Sequence, residues 1–388
     1  MRKVPEIRFA GFDGEWEEKK ISTIAKFSKG KGYSKNDLTN GKYPIYLYGQ
    51  MYTNYKSQIN EVETYTDSIK VNSILSKGNE VLIPSSGETA EDLARASHMN
   101  ISNVLLGGDL NIIEPNDGVN SHFLALELSN GSVKQSLSKK AQGKSVVHLY
   151  NTDIKNQKIN YPVIEEQEKI GDLFKKIDDL IEIQEGKVAK MEDLKKSMLQ
   201  KMFPKKDELV PEFRFDGFEG GWNTKALGDL SEISTGKLDA NAMVPGGEYD
   251  FYTSGIEKYK IDNYAFEGPS ITVAGNGATV GYMHLADGKF NAYQRTYVIQ
   301  KIKGDRIFIF YQIQSKLPRK IHEESRQGNI PYIVMNMLTD LYLDVPEIEE
   351  QEKIGQFFKN LDTQIENEEK LLESYKCMKK SLLQKMFV

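Results

Sequence analysis

Residues 162–203 read PVIEEQEKIGDLFKKIDDLIEIQEGKVAKMEDLKKSMLQKMF, and residues 346–387 repeat the stretch as PEIEEQEKIGQFFKNLDTQIENEEKLLESYKCMKKSLLQKMF. The copies align without a gap and are identical at about half of their positions, which indicates an internal duplication. Apolar residues recur in both copies at steps of three and four, as on helices that pair through a heptad seam. The sequence therefore predicts two long helices, each with the other as its partner.

The apolar seam of the predicted helices is interrupted at the same place in each copy. Gln184 and Glu368 occupy matching core positions, and a polar residue there fixes the register of a helix pair at a cost in stability. Gly186 follows in the first copy only and weakens that helix by about 1 kcal/mol relative to Ala. About 38 helical residues with a rise of about 1.5 Å each extend about 60 Å, too far for one small domain to cover. The residues predicted to pair the helices are Ile170, Phe174, Ile177, Gln184, Met191, Met198, Ile354, Phe358, Leu361, Glu368, Leu372 and Leu382.

A second repeat opens each half of the chain. Residues 4–16 read VPEIRFAGFDGEW and residues 210–222 read VPEFRFDGFEGGW, with the aromatic positions of one copy matched in the other. Glycines between aromatic residues favour turn-rich segments. We call each segment a clasp and expect it to dock on a larger body and to take no part in catalysis.

The chain is therefore a clasp, a variable domain and a long helix, followed by the same three parts again. The variable domains share little sequence, and both contain short β-branched runs between turns, which predicts mixed α/β structure. We expect an α+β fold class, with two target-binding domains separated by two long antiparallel helices in a pseudo-two-fold arrangement. The expected parts are residues 1–161 (clasp and first variable domain), 162–204 (first helix), 205–345 (clasp and second variable domain) and 346–388 (second helix). The expected strands are Tyr43–Tyr48, Glu80–Ile83, Leu110–Glu114, Phe123–Leu128, Ser270–Ala274, Thr279–Leu285, Tyr297–Lys301 and Ile307–Tyr311.

The composition limits the classes of function. At 388 residues and 39% hydrophobic, the chain is expected to fold into two or three domains with buried cores. No run approaches the ~18 apolar residues of a membrane helix, and a single cysteine, Cys377, indicates a reducing cytoplasm. The net charge of −5 argues against a chain that coats nucleic acid by charge alone. Any nucleic-acid contact must come from local basic patches or from partners.

Motifs that resemble catalytic or cofactor sites are incomplete. Gly275–Gly281 follows a predicted strand, as a dinucleotide-binding loop would, but the next segment is predicted to be a strand and not a helix. Gly143-Lys144-Ser145 resembles half of a phosphate-binding loop. The five histidines lack metal-ligand spacing, and no nucleophile is paired with a base. The sequence thus predicts a non-catalytic chain without a cofactor or metal site of its own.

One motif keeps an enzymatic alternative open. Asn329-Ile330-Pro331-Tyr332 resembles the Asn-Pro-Pro-Tyr motif of amino-methyltransferases, in which the Asn and a prolyl carbonyl hold the amino group of a flipped base. No glycine-rich cofactor loop accompanies the motif here. A structural turn is the simpler interpretation.

Polar residues suited to DNA recognition cluster before a Gln-Gly turn in each half of the chain. Lys and Arg neutralise phosphates, whereas Arg, Gln and Asn read base edges through paired hydrogen bonds. Ordinary solvated surface charge is the alternative interpretation for each of them. The candidate DNA-binding residues of the two clusters are Lys139, Lys140, Gln142, Lys144, Lys316, Arg319, Lys320, Arg326 and Gln327. Further candidates outside the clusters are Arg95, Asn276, Gln294 and Arg295.

The chain resembles the specificity subunit of type I restriction–modification systems. The resemblance lies in the EEQEKIG start of each long helix after a Pro, the QKMF end, the two clasps and the two dissimilar domains. The resemblance covers the whole chain and implies two target-recognition domains, each reading half of a split double-stranded DNA site in the bacterial cytoplasm. It implies partners as well: two methyltransferase subunits that bind S-adenosylmethionine and methylate adenine, and restriction/translocase subunits that use ATP and Mg²⁺. The chain itself would then lack an active site.

Elementary geometry agrees with this interpretation. Two antiparallel helices relate the domains attached to them by a two-fold axis, the symmetry that also relates the strands of duplex DNA. One turn of DNA is about 34 Å, so domains held that far apart would read half-sites about ten base pairs apart, and helix length would set the spacing. The weakly acidic domains predict feeble DNA binding without partners. Two alternatives remain: an adenine methyltransferase using Asn329–Tyr332, and a coiled-coil adaptor that binds proteins.

Overall fold

The computed structural model describes residues 3–143, 146–324 and 331–388. Contacts divide the chain into two units: unit 1 comprises residues 1–185 and 371–388, and unit 2 comprises residues 186–370. This division differs from the four parts expected from the sequence, because each long helix contributes one part of its length to each unit. Among the described residues, no helix combines the length and the apolar character needed to cross a bilayer.

Unit 1 carries a variable domain of short strands and helices followed by the first long helix. Its elements are β1 (Glu17–Lys20), α1 (Ile21–Ile24), β2 (Ala25–Lys29), β3 (Tyr43–Tyr46), α2 (Gln50–Thr53), β4 (Gln58–Ile59), β5 (Tyr65–Thr66), β6 (Leu75–Lys77), β7 (Glu80–Pro84), β8 (Ser86–Gly87), α3 (Ala90–Leu93), β9 (Ser97–Met99), β10 (Ser102–Leu106), β11 (Leu110–Pro115), α4 (Ser121–Leu128), α5 (Gly131–Lys140), β12 (Val147–His148), α6 (Asn151–Lys155), β13 (Lys158–Tyr161) and α7 (Ile164–Lys201), which continues into unit 2. A 3₁₀ turn spans Lys35–Asp37.

The strands of unit 1 form two main sheets. One has the order β2-β11-β7-β9-β4 and the other the order β5-β3-β10-β6. Two small pairs, β1-β13 and β12-β8, complete the set. The strands β7 and β11 lie in the middle of the larger sheet and are almost wholly buried, so that this sheet carries the core of the domain.

Unit 2 repeats this architecture with a different sequence. Its elements are β14 (Asn223–Ala226), α8 (Leu227–Leu230), β15 (Glu232–Thr235), β16 (Tyr249–Tyr252), β17 (Lys258–Ile261), β18 (Phe266–Glu267), β19 (Ser270–Ala274), β20 (Met283–Ala286), β21 (Lys289–Ala292), β22 (Thr296–Gln300), α9 (Arg306–Glu324), α10 (Met335–Thr339), β23 (Tyr342–Val345) and α11 (Ile348–Met386), with a 3₁₀ turn at Ala240–Ala242. Its sheets have the orders β15-β22-β19-β20, β17-β16-β21-β18 and β14-β23.

The two long helices predicted from the repeat are present, with 38 residues in α7 and 39 in α11. Within unit 1, Asp178 and Glu185 of α7 bind Lys379 and Lys376 of α11, the second pair at 2.6 Å. The residue number rises on one helix as it falls on the other, so the segments run antiparallel there.

The segments within unit 2 pair in the same sense. Lys187 of α7 binds Glu368 of α11 at 2.6 Å, and Lys195 binds Asp362, also at 2.6 Å. The predicted seam positions Ile170, Phe174, Ile177, Gln184, Ile354, Phe358 and Leu361 are buried, while Met191, Met198, Glu368, Leu372 and Leu382 are half-buried.

Each clasp is fastened to the start of a long helix by a buried arginine–carboxylate pair. In unit 1, Arg8 donates to both carboxylate oxygens of Glu166 at 2.7 and 2.8 Å and to the carbonyl of Gly14 at 2.6 Å. In unit 2, Arg214 makes the same pair with Glu350 at 2.8 and 2.7 Å. Hydrogen bonding to Glu166 is the main reason why the pKa of Arg8 is raised.

An aromatic cluster closes the core beneath each clasp. In unit 1, Trp16 meets Phe123 edge to face at 5.7 Å between ring centroids, and Phe123 stacks on Phe387 at 5.6 Å. In unit 2 the corresponding contacts join Trp222 with Phe308 at 5.7 Å and Phe203 with Phe308 at 5.7 Å. The QKMF end of α11 thus completes the core of unit 1, and that of α7 completes the core of unit 2.

Two strands expected from the sequence are helices. Phe123–Leu128 lies within α4, whose first turn is capped by the Asn120 side chain, which accepts from Phe123 N–H at 2.9 Å. Ile307–Tyr311 lies within α9, where Asp305 accepts from Phe308 N–H at 2.7 Å. Apolar runs of this length do not distinguish a buried strand from a buried helix, and in both cases a carboxylate or amide cap determines the outcome.

Candidate nucleic-acid interface

The two units present the same loop arrangement at the edge where the strands of one main sheet end, the sheet β2-β11-β7-β9-β4 in unit 1 and the sheet β15-β22-β19-β20 in unit 2. We call this edge the recognition edge; it comprises residues 85–87, 107–109 and 147–150 in unit 1, and residues 275–276, 293–295 and 332–334 in unit 2. The opposite ends of the same strands face the long helices, where Asn120 N–H donates to Gln167 at 2.9 Å and Asp305 N–H donates to Gln351 at 3.1 Å. The recognition edge therefore lies on the side of each variable domain away from its long-helix segments.

Three hydrogen bonds define the recognition edge, and they correspond one to one between the units. The loop after β7 donates to the residue before β11, and the loop after β19 donates likewise to the residue before β22. The last loop of each edge, residues 147–150 or 332–334, donates to the loop after β7 or β19. The side chain of the second residue of β11 or β22 donates to a carbonyl of that last loop. In unit 1 the bonds are Ser85 N–H to Asp109 O at 2.8 Å, Leu149 N–H to Ser85 O at 3.1 Å and Asn111 Nδ2 to Leu149 O at 2.9 Å. In unit 2 they are Gly275 N–H to Arg295 O at 2.8 Å, Ile333 N–H to Gly275 O at 2.7 Å and Tyr297 Oη to Ile333 O at 2.8 Å.

A glycine directly after β2 and after β15 permits this close packing. A Cβ on Gly30 would lie 1.9 Å from the carbonyl oxygen of Gly107, and a Cβ on Gly236 would lie 1.9 Å from that of Ala292. Only glycine tolerates such an approach of two backbones. Both halves of the chain have a Ser-x-Gly-Lys sequence here, residues 28–31 and 234–237, and its glycine is required by this close approach.

Two candidate residues of unit 1, Arg95 and Lys140, have partners inside the protein. Arg95 donates to Met51 O at 3.2 Å and to Asp92 at 2.5 Å, and it lies 5.5 Å from the ring centroid of Tyr55. Lys140 donates to Asp153 O at 3.3 Å and to the side chain of Gln157 at 3.1 Å. These two cations hold the domain together, so we leave them out of the proposed interface.

Two of the other unit 1 candidates, Lys139 and Gln142, are among the described residues. Gln142 is exposed, and its backbone pairs with that of His148 at 2.8 and 3.0 Å. Lys139 is exposed near the end of α5. Lys144 lies outside the described residues.

In unit 2 the structure separates the candidates into two groups. On α9, Lys316 binds Asp344 and donates to Tyr342 O at 3.1 Å. Arg319 and Lys320 pair one turn further on, with Glu323 at 2.7 Å and Glu324 at 2.8 Å. These ion pairs reduce the charge that α9 offers to a phosphate. Arg326 and Gln327 lie outside the described residues, as do Asn329 and Ile330 of the Asn-Ile-Pro-Tyr motif.

The remaining three unit 2 candidates lie together on the recognition edge. Asn276 accepts from Ser254 Oγ at 2.7 Å, and Gln294 donates to Asp239 at 2.8 Å. Arg295 is exposed, and its guanidinium makes no hydrogen bond or ion pair with a described residue. Hydrogen bonds orient the two amides, while the arginine is left available to a ligand.

Sequence reasoning missed other residues of the recognition edge. Asp109 is exposed at the position that Arg295 occupies in unit 2. Tyr150 is 50% exposed and stacks on His148 with 6.0 Å between ring centroids, and Tyr332 is 41% exposed. Exposed aromatic faces of this kind suit contact with bases or sugars. Only an alignment of the two variable domains strand by strand would have found these residues.

A cleft of about 780 Å³ in unit 1 lies elsewhere, between residues 53–64 and the long-helix segments. Its charges largely neutralise one another: Lys56 binds Glu182 at 3.1 Å, and Asp178 binds Lys379 and accepts from Ser57 at 2.7 Å. Burial lowers the pKa of the neighbouring His122 to about 4, which keeps that ring neutral at pH 7. The cleft therefore offers no concentrated positive charge to DNA, and no group of His, Cys, Asp and Glu among the described residues could hold a metal ion.

Comparisons with known proteins agree with this architecture. A family model described as "Type I restriction modification DNA specificity domain" matches residues 13–193 and 219–374. The chain is 38% identical over 152 residues to the Type I restriction enzyme EcoDI specificity subunit of Escherichia coli, an alignment that covers 39% of this chain and 34% of that protein. It is 21% identical to the Type I restriction enzyme MjaVIII specificity subunit of Methanocaldococcus jannaschii, over 95% of this chain and 91% of that one.

The fold is also similar to solved structures. The crystal structure of a type I restriction-modification S subunit from M. genitalium superposes with a TM-score of 0.72 at 17% identity, covering 99% of both chains. A chain from a structural study of complex assembly and conformational transition of the type I R-M system gives a TM-score of 0.55 at 14% identity, covering 96% of this chain and 97% of that one. At these identities the likeness shows the fold alone.

Proposed function

Because this chain belongs to the type I restriction modification DNA specificity family, we propose that it is the DNA-recognition subunit of a type I restriction–modification complex. Unit 1 and unit 2 each read one half of a bipartite double-stranded site. The observation that carries the proposal is the duplicated recognition edge. The two edges share their backbone hydrogen bonds and differ in their exposed side chains, as expected of two readers built on one scaffold for different sequences.

The chain supplies recognition, and its partners supply chemistry. Two methyltransferase subunits provide S-adenosylmethionine and adenine methylation, and restriction/translocase subunits provide ATP- and Mg²⁺-dependent movement and cleavage. The formal charge of −5 provides little of the phosphate neutralisation on which DNA affinity depends. DNA binding by the isolated chain is therefore weak, and methyltransferase subunits that clamp the duplex make it tight.

The long helices fix the spacing between the half-sites. Removing seven residues, two helical turns, from the matched stretches of α7 and α11 shortens the spacer that the complex accepts and leaves the half-site sequences unchanged. Sequencing of methylated adenines in cells that carry this chain with its methyltransferase subunits tests both statements. Unchanged spacing would contradict the role of helix length, and methylation without a bipartite consensus would contradict the proposed function.

The family match supports this function over the two alternatives drawn from the sequence. A methyltransferase using Asn329–Tyr332 would bind S-adenosylmethionine as an isolated chain, which isothermal titration calorimetry measures directly. A coiled-coil adaptor would show no DNA sequence preference in any complex. We expect neither result.

A further inference from the structure

This inference rests on the proposed function and concerns one position of the recognition edge. Asp109 and Arg295 occupy the same place in two differently sequenced units, each just before the central strand β11 or β22. Besides the bonds described above, three further backbone hydrogen bonds of unit 1 have a counterpart in unit 2 around this position. The pairs are Gly107 N–H to Tyr46 O (3.0 Å) with Tyr293 N–H to Tyr252 O (2.9 Å), Gly108 N–H to Tyr33 O (3.1 Å) with Gln294 N–H to Leu238 O (2.8 Å), and Gly30 N–H to Leu110 O (2.9 Å) with Gly236 N–H to Thr296 O (3.2 Å).

The position is held firmly in both units, but its charge is opposite. Asp109 has a φ of 60° and is fixed by the bond that Ser85 N–H donates to its carbonyl. Its carboxylate accepts a hydrogen bond from the hydroxyl of Ser85 at 3.3 Å. Arg295 has no side-chain partner among the described residues. A charged side chain on a rigid backbone loses little conformational entropy when it binds a ligand in one geometry.

The opposite charges exclude a common role in phosphate binding. A carboxylate facing the DNA backbone is repelled by it, so the position in unit 1 cannot neutralise a phosphate. In the major groove both charges have base partners. An arginine fork binds the O6 and N7 acceptors of guanine, and a carboxylate accepts from the N4 amino group of cytosine.

We propose that this shared position determines specificity, with Arg295 selecting guanine in the half-site read by unit 2 and Asp109 selecting cytosine in the half-site read by unit 1. Asn276 and Gln294 flank Arg295 with oriented amides and read neighbouring bases. The two half-sites then differ in this base because unit 1 has a carboxylate, Asp109, at the position where unit 2 has a guanidinium, Arg295.

The test uses the full chain assembled with its methyltransferase subunits and a library of duplexes randomised over both half-sites. Arg295→Gln is expected to lower the preference for guanine at one base pair of one half-site by about tenfold or more. Arg295→Lys keeps the charge but loses the planar fork, so overall affinity persists while the guanine preference falls. Asp109→Asn is expected to replace cytosine by adenine at one base pair of the other half-site, because an Asn amide pairs with adenine N6 and N7.

Matched controls come from the far ends of the same strands. Asp117 follows β11, and Lys301 follows β22, where it binds Glu232 at 2.9 Å. Asp117→Asn and Lys301→Gln change the same charges away from the recognition edge, and they are expected to leave the consensus unchanged. Thermal unfolding of every variant checks that the fold is intact.

The outcomes separate this inference from the function on which it rests. A wild-type complex without sequence preference would overturn both. A wild-type complex with a bipartite preference that Arg295→Gln and Arg295→Lys leave intact would overturn the inference alone. An equal loss of affinity for all sequences in Arg295→Gln, restored by Arg295→Lys, would identify a phosphate contact and would also overturn it.

Discussion

The pair between Arg214 and Glu350 is a buried contact whose loss should strongly destabilise unit 2. Glu350 has a side chain that is 1% exposed, so Arg214→Met leaves a buried carboxylate without its guanidinium. Breaking a buried pair in this way costs about 3–5 kcal/mol. For a folding unit of about 150–250 residues, each kcal/mol lowers Tm by about 2–4 °C. We therefore expect unit 2 to melt about 6–20 °C lower in the variant.

The two tryptophans of the chain provide a selective assay, because each clasp holds one of them. Trp16 and Trp222 are both 2% exposed, and their emission shifts to the red when a clasp leaves its site. In a Trp16→Phe background, the remaining signal reports Trp222 and unit 2 alone. The expected result is an early red shift on heating in the Arg214→Met variant, relative to the same background with Arg214 intact.

The repeat supplies a replicate and a control for this experiment. Arg8→Met in a Trp222→Phe background should produce the same early transition in unit 1, where Glu166 is also 1% exposed. Replacing both partners in unit 2, by Arg214→Met with Glu350→Leu, should recover most of the stability because no buried charge is left unpaired. If the single variant melted like its background, or if the double variant were as unstable as the single one, the reasoning about the buried charge would be refuted.

Three further predictions concern the cores and the recognition edge. Burial raises the pKa of Glu127 from 4.5 to about 8, so between these pH values the carboxyl is protonated in the folded state and ionised in the unfolded chain. The contribution of the protonated carboxyl to the free energy of unfolding is complete below pH 4.5 and is lost, by up to about 5 kcal/mol, as the pH rises through 8. The stability gained by Glu127→Gln, measured by urea unfolding, should therefore grow with pH, and a constant difference would contradict this. Phe203→Ala and Phe387→Ala should each cost about 3–5 kcal/mol, and hydrogen exchange should place the loss in unit 2 for the first and in unit 1 for the second. Gly236→Ala, whose Cβ would lie 1.9 Å from Ala292 O, should lower affinity for one half-site only, as binding to duplexes mutated in either half would show.

The repeated parts of the chain were predictable because each of their motifs occurs twice in the sequence. The heptad spacing predicted α7 and α11, and the paired motifs predicted two clasps. The partners of the clasps were not predictable, because Arg8 and Glu166 are 158 residues apart and nothing local marks the glutamate as buried. The same holds for Phe387, which packs on Phe123 of a distant segment.

The recognition edge was only partly predictable. Arg295 and Asn276 were chosen by residue type and do lie on it, whereas Arg95 and Lys316 were chosen for the same reason and have internal partners. A charged residue looks alike in sequence whether an acidic neighbour neutralises it or not. Asp109 was missed because an acidic residue is not sought in a DNA-binding protein. Its role is indicated only by the structure, in which the backbone hydrogen bonds around Asp109 match those around Arg295.

The division of the long helices between the units has a consequence for folding during synthesis. Unit 2 is a single uninterrupted stretch, residues 186–370, whereas unit 1 needs residues 371–388 in addition to residues 1–185. A ribosome delivers the chain in order, so every residue of unit 2 is available while unit 1 still lacks Met386 and Phe387 of its core. Unit 1, whose larger part is translated first, is therefore the unit that completes its core last, because Met386 and Phe387 are translated about 200 codons after Glu185.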